Sequence, residues 1–138
     1  MSDYSHLLGR VLLSVVFIAF GYLQVTNTGA YIANPTVIKV AGLTGVLTPT
    51  IIAWLVAAID LIGGLLILAG FMTRPVVVVL LVFVVLTLVF AHNFWTMEGP
   101  ARVGNMVNFY KNISIMGGLL LLLSYGPGRF SIDERRSG

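Results

Sequence analysis

Apolar residues run almost unbroken over four stretches of the chain, residues 8–25, 50–68, 76–94 and 107–125. Each is long enough to cross a bilayer as a helix, since about 20 apolar residues rising ~1.5 Å apiece span ~30 Å of hydrocarbon. A membrane β-barrel would show segments of about ten residues that alternate apolar and polar positions. Residues 76–85 do not alternate, so the pattern predicts helices. The breaks between the stretches agree. Thr48-Pro49 offers an N-cap and a first-turn proline for the second helix. Gly70 ends that helix, and Thr73-Arg74-Pro75 leads straight into the third. So short a connection makes the second and third helices antiparallel neighbours. Gly126-Pro127-Gly128 ends the fourth. The connection over 26–47 is longer and partly apolar, and Ile32, Val37, Ile38, Val40 and Leu43 suit a short helix or hairpin lying in the membrane interface. Residues 128–138 are polar, and a tail trailing along the surface is expected. The first stretch lacks a clean cleavage site after Gly21-Tyr22-Leu23 and reads as an uncleaved helix.

Composition narrows the class. Of 138 residues, 58% are hydrophobic and 9% charged, with a mean hydropathy of +1.00. Soluble domains carry about a quarter charged residues, and a chain this small cannot bury so much apolar surface by itself. Soluble and disordered classes are excluded, and one all-α integral-membrane domain, a four-helix bundle, is expected. With no cysteine, disulfides, thiolate metal sites and thiol-exchange chemistry are excluded. The net charge of +3 comes without a basic run interleaved with aromatics, so no nucleic-acid partner is expected. Arg10, Arg74, Arg129, Arg135 and Arg136 fall on one side of the expected topology. Lys39 and Arg102 fall on the other, with Lys111 just inside the fourth helix. The positive-inside rule then places both termini in the cytoplasm, and Trp54 and Trp95 at the outer interface.

Function is sought where polar residues enter hydrocarbon, because each is costly there. On the first helix Arg10, Ser14, Phe17, Gly21 and Gln24 recur at helical spacing, one stripe of one face. Ala53, Ala57, Asp60 and Gly64 form a second stripe. Asn108, Lys111, Ser114 or Ile115, and Gly118 form a third. Gly21, Gly63, Gly64, Gly117 and Gly118 are expected to let helices approach closely. Asp60, near the middle of its span, is the strongest signal and requires a cation or a proton. Lys111 is its expected ion-pair partner, with Arg10 a further candidate. Arg10 lies just inside the membrane edge, where snorkelling to headgroups is the expected behaviour. Gln24, Asp60, His92 and Lys111 are expected to cluster in the outer half of the bundle. With Asn112 they are the candidates for ligand binding or proton relay. The cluster serves equally as a structural ion pair with supporting hydrogen bonds. Bis-histidine haem ligation is excluded, because His6 and His92 lie at opposite faces, and no metal site is expected. Asn112-Ile113-Ser114 matches a glycosylation sequon but lies inside an apolar helix.

These residues together resemble the DoxX family of small four-helix inner-membrane proteins. The resemblance is carried by Leu8-Gly9-Arg10, Phe17 with Gly21, and the run from Asp60 to Leu66. It continues with Gly70, Thr73-Arg74, His92, Phe94-Trp95 and Phe109-Tyr110-Lys111-Asn112, and closes with the run from Gly126 to Asp133. Two positions depart from the family pattern, which usually has glutamate where Asp60 stands and often lysine where Gln24 stands. The resemblance implies the four-helix fold and a bacterial inner-membrane location. It also implies a redox association, as some members are linked to thiosulfate:quinone oxidoreduction and others to complexes of oxidative-stress defence. The leading expectation is a redox-associated protein that binds quinone or another lipophile near Asp60, His92 and Lys111. No cofactor is expected in the chain itself beyond such a quinone. The alternative is a non-catalytic subunit or assembly factor, partnered by other membrane proteins or by copies of itself. A small transporter or proton path is the third.

Overall fold

The computed structural model describes residues 3–137. Among them the elements are α1 (Asp3–Thr26), α2 (Thr28–Ile32), α3 (Pro35–Thr44), α4 (Pro49–Ala69), α5 (Thr73–Phe90), a 3-10 turn (Phe94–Thr96), α6 (Gly99–Tyr125) and α7 (Ile132–Ser137). No strand occurs among the described residues. The chain is an all-α protein, and α1, α4, α5 and α6 are long and apolar enough to cross a membrane.

The helix ends follow from local chemistry. Thr48 Oγ accepts a hydrogen bond from the Ile51 N–H at 3.3 Å, with Pro49 opening α4. Asn34 caps α3 by accepting from the Thr36 N–H at 2.9 Å, so the long connection holds two short helices rather than a hairpin. Gly70 closes α4 in the left-handed region at φ 65°, where a glycine meets no Cβ penalty. Two boundaries differ from expectation. α5 stops at Phe90, so His92 lies beyond the helix and not within it. α6 begins at Gly99, two turns earlier than its apolar stretch, because Pro100 suits the first helical turn.

The most extensive contact is between α1 and α4; α5 packs on α6 and on α4, while α6 touches α1 only lightly. α2 and α3 lie on α4. The core joins Phe17, Ile67, Val77, Leu80, Val84, Leu119 and Leu122. These residues gather in the half of the bundle nearer the α4–α5 turn, the end that also carries both termini. Toward the opposite end small and polar side chains join the buried set, Ala57, Ala53, Asp60 and Gln24, beside Ile52 and Leu88. The segment after residue 128 is no trailing tail. It folds back across the terminal end and ends in α7; residue 138 lies outside the described residues.

Candidate functional site

α1 buries Arg10, Ser14, Phe17, Gly21 and Gln24, and α4 buries Asp60 on the same face as Ala53, Ala57, Gly63, Gly64 and Ile67. Glycine brings the two backbones together. A Cβ at Gly21 would stand 2.5 Å from the Leu61 nitrogen, and one at Gly64 would stand 2.9 Å from the Ile18 nitrogen. One step further along this antiparallel seam, Gln24 Nε2 donates to Asp60 Oδ2 at 2.9 Å. Both residues are buried, 7% and 5% exposed, and Gln24 Oε1 has no partner. Gly63 packs against Leu80 of α5, and Gly118 against Leu13 of α1.

The other candidates are placed elsewhere. Lys111 is exposed on α6 and forms no ion pair among the described residues, so the expected Asp60–Lys111 bridge is not made. The reason is the way α6 packs. It is buried only in its second half, at Leu119 and Leu122. Lys111 lies on the same helical stripe as Leu122 but in the first half, which stays exposed at Asn108, Lys111 and Ser114, with Asn112 half-buried. Gly117 likewise faces open space. His92 pairs with Asn105, Nδ1 to Oδ1 at 3.0 Å, while Asn105 Nδ2 donates to the Ala101 carbonyl. The Asn105 oxygen can only accept, so His92 Nδ1 carries the hydrogen. The four-residue cluster of Gln24, Asp60, His92 and Lys111 is therefore not assembled; only its first two members meet. At that end Phe94, Trp95, Phe109 and Tyr110 form an aromatic group that pins the 3-10 turn to α6, with edge-to-face pairs at 5.4 to 5.8 Å between centroids and a tilted Phe94–Tyr110 pair at 6.4 Å.

Arg10 neither snorkels nor pairs with a carboxylate by direct contact. It is 3% exposed, and its terminal nitrogens donate to the Pro127 and Phe130 carbonyls, the latter at 2.6 Å. Its Nε is buried without a partner. The returning segment is fixed again three residues on. The Asp133 N–H donates to the Gly70 carbonyl at 2.9 Å, and its two carboxylate oxygens accept from the Met72 and Thr73 N–H groups, each at 2.8 Å. Asp133 thus caps α5 from across the sequence. Desolvation pushes its carboxyl up, but the Thr73 and Met72 N–H bonds and the charge of Arg136 together hold it below the ordinary carboxylate range.

Beside Arg10, where α1 and α6 touch lightly, a crevice of about 390 Å³ opens on the bundle's side. Leu12, Leu13, Leu121 and Leu122 wall it, and His6, Arg10 and Tyr125 stand at its terminal end. His6 also borders a separate polar hollow shared with Arg74, Arg129 and Asp133. Neither ring nitrogen of His6 has a hydrogen-bond partner among the described residues.

Residues 5–93 match the family DoxX. The chain belongs to the DoxX family. This DoxX protein is 36% identical to inner membrane protein YphA of Escherichia coli over 94% of its own length and 88% of that relative's. It is 34% identical to inner membrane protein YqjF of the same organism, over 97% and 93%. It is also 28% identical to a Surfeit locus protein 4 homolog of Schizosaccharomyces pombe, over 96% of this chain but 38% of that one. No solved structure matches it. Like its Escherichia coli relatives, it is an inner-membrane protein.

Reasoning from the DoxX sequence missed the terminal-end site. Arg10, Gly70, Thr73 and the segment from Gly126 to Asp133 each carried part of the family resemblance, yet nothing in their spacing showed that they meet. A Cβ at Gly70 would clash with Ser131 Cβ and Arg10, which is the packing reason for glycine there. The signal available was Arg10 itself, the one cation on the polar stripe of α1 that also carries Ser14, Gly21 and Gln24.

Proposed function

We propose that this DoxX-family protein takes a quinone from the bilayer into the crevice between α1 and α6. The observation that carries the reading is the crevice: apolar along its length, open on the bundle's side, with His6 and Arg10 lining its terminal end. A quinone has an apolar tail and a ring bearing carbonyl oxygens. Leu12, Leu13, Leu121 and Leu122 suit the tail. The Arg10 Nε–H and the His6 ring suit the carbonyls, since among the described residues neither has an acceptor. His6 borders both the crevice and the polar hollow, so a proton taken up at a carbonyl has a short route to the aqueous face. Electrons come from a partner protein in this reading, since the sequence carries no flavin or metal motif. The site expected around Asp60, His92 and Lys111 is replaced, because those groups do not converge.

Irradiation of membranes with a photoreactive quinone analogue tests it. The expected adducts fall on residues 12–13 or 121–122, are displaced by excess plain quinone, and drop several-fold in Gly118→Leu, which narrows the crevice. Labelling that phospholipid displaces and quinone does not would make the crevice a lipid site and remove the redox reading. No labelling there overturns both.

A second reading, that of a subunit in a larger assembly, is favoured by one observation. Asn108 and Lys111 are exposed on a membrane-spanning helix, where unpartnered polar groups are costly. Because the chain has no native cysteine, Asn108→Cys gives a clean cross-linking probe. Recovery of only uncross-linked protein from membranes counts against this reading.

A further inference from the structure

Gln24 offers an amide with two N–H donors and one oxygen acceptor. One donor goes to Asp60 Oδ2 at 2.9 Å, while the oxygen, in a residue 93% buried, accepts nothing. Asp60 itself sits roughly 14 Å from the Ala69 end of α4, at ~1.5 Å of rise per residue. That is near the middle of the membrane. The elements packed on α4 bring no cation to it. α1 carries Asp3, Tyr4, His6 and Arg10 toward its far end and Tyr22 on its exposed face; α2 carries Tyr31; α3 carries exposed Lys39; α5 carries Arg74 in its first turn. None forms an ion pair with Asp60. The site therefore has two deficits, an acceptor without a donor and a carboxyl without a counter-charge. Both are costly in hydrocarbon.

We infer that Asp60 is a proton-binding site, standing in the membrane as the neutral acid with its proton shared with Gln24 Oε1 in a two-bond acid–amide pair. One proton removes both deficits. The Gln24 N–H is given to the carbonyl oxygen of the acid, and the acid O–H is given to the amide oxygen, so each group donates once and accepts once. A cation bound at the carboxylate would leave the Gln24 N–H competing with it for the same oxygens. This assignment stands independently of the quinone reading, since the crevice lies elsewhere.

A neutral carboxylic acid within hydrocarbon is also a site for hydrophobic carbodiimides. The acid proton passes to a carbodiimide nitrogen and the carboxyl oxygen bonds the central carbon. The acyl group then migrates to nitrogen to give a stable N-acylurea, with every atom retained and no oxidation or reduction. The remaining acids, Asp3, Glu98, Asp133 and Glu134, lie at the ends of the spans or beyond them.

The experiment is infrared spectroscopy of the whole protein in bilayers at neutral pH, paired with dicyclohexylcarbodiimide labelling. Wild type is expected to show the carbonyl stretch of a protonated acid, lost in Asp60→Asn, and to form a single adduct on the peptide containing Asp60. Asp60→Asn is expected to keep the melting temperature, because an amide–amide pair repeats both hydrogen bonds. Asp60→Ala and Gln24→Leu are each expected to lower it. If Asp60→Asn does not fold, isotopic editing of aspartate carboxyls in wild type gives the same reading. Carboxylate bands alone at Asp60, or melting that depends on added sodium or potassium, would overturn the assignment.

Discussion

Asp133 is a capping residue supplied from 60 positions away, and its titration gives the first prediction. An unfolded aspartate titrates near ~3.9, and hydrogen bonds to Met72 and Thr73 hold the folded one lower. The unfolded chain thus binds more protons between the two values. The stabilisation is complete above the unfolded value and is lost as pH falls through the folded one. Asp133→Asn is expected to lower stability at neutral pH by about 1 kcal/mol, the usual worth of an N-cap. The gap to wild type should then narrow below about pH 4. Thermal melts in detergent across pH check this, and a gap unchanged by acid would mean that the carboxylate charge is not what caps α5. At this scale the sequence showed which residues are costly and not what they touch. Asp60 and Gln24 stood out because a polar group in an apolar helix needs a reason. Their pairing depended on Gly21 and Gly64 setting the register between α1 and α4, which no local pattern encodes.

Among the helices, the seam between α1 and α4 is the tightest contact, and glycine makes it so. A Cβ at Gly21 would meet the Leu61 backbone, with its nitrogen at 2.5 Å and Cα at 2.7 Å. Backbone atoms in a helix cannot swing aside. Gly21→Ala is expected to destabilise by about 1–3 kcal/mol, in the range of overpacked cores, read as loss of folded protein in detergent. Gly117→Ala, where the added methyl meets open space, is the matched control and is expected to be neutral or slightly stabilising. A second element-scale expectation concerns the returning segment. Ending the chain at Gly128 removes the Phe130 carbonyl from Arg10 and the Asp133 carboxylate from α5. The melting temperature should then fall further than in Asp133→Asn, because a buried cation loses a partner. An equal fall would mean that Asp133 is the only important contact. Helices and their facing stripes were legible on α1 and α4, where one polar face stands out from Leu, Ile and Val. On α6 the same reasoning failed. Asn108, Lys111 and Ser114 do share a face, but α6 packs through its far half, on Leu119 and Leu122, and the half that carries the polar positions is left exposed.

For the molecule as a whole, the balance of arginine sets an orientation that reporter fusions test. Arg10, Arg74, Arg129, Arg135 and Arg136 all lie at the end that carries both termini. A reporter fused after Arg136 is expected to behave as cytoplasmic and one inserted near Gly99 as periplasmic. The reverse pattern would move the polar hollow at His6 to the outer face, and with it the source of any proton reaching the crevice. The four-helix architecture was legible because each span is long and apolar, and the last three are marked by proline or glycine at one end or both. The crevice was not, since it exists only where α1 and α6 fail to close.

The grip of two carbonyls on Arg10 sets an order of events in biosynthesis. Phe130 is made 120 residues after Arg10, so α1 enters the bilayer while its cation has no acceptor in the chain. Until then the guanidinium must stay with water or lipid phosphate at the interface, holding α1 slightly outward. Arrival of the Pro127–Phe130 turn releases it from the lipid surface and lets the helix settle to its final depth. Assembly of the four spans is in this way coupled to synthesis of the segment that follows α6, and a chain interrupted before that segment would stop with its first helix still tethered at the membrane surface.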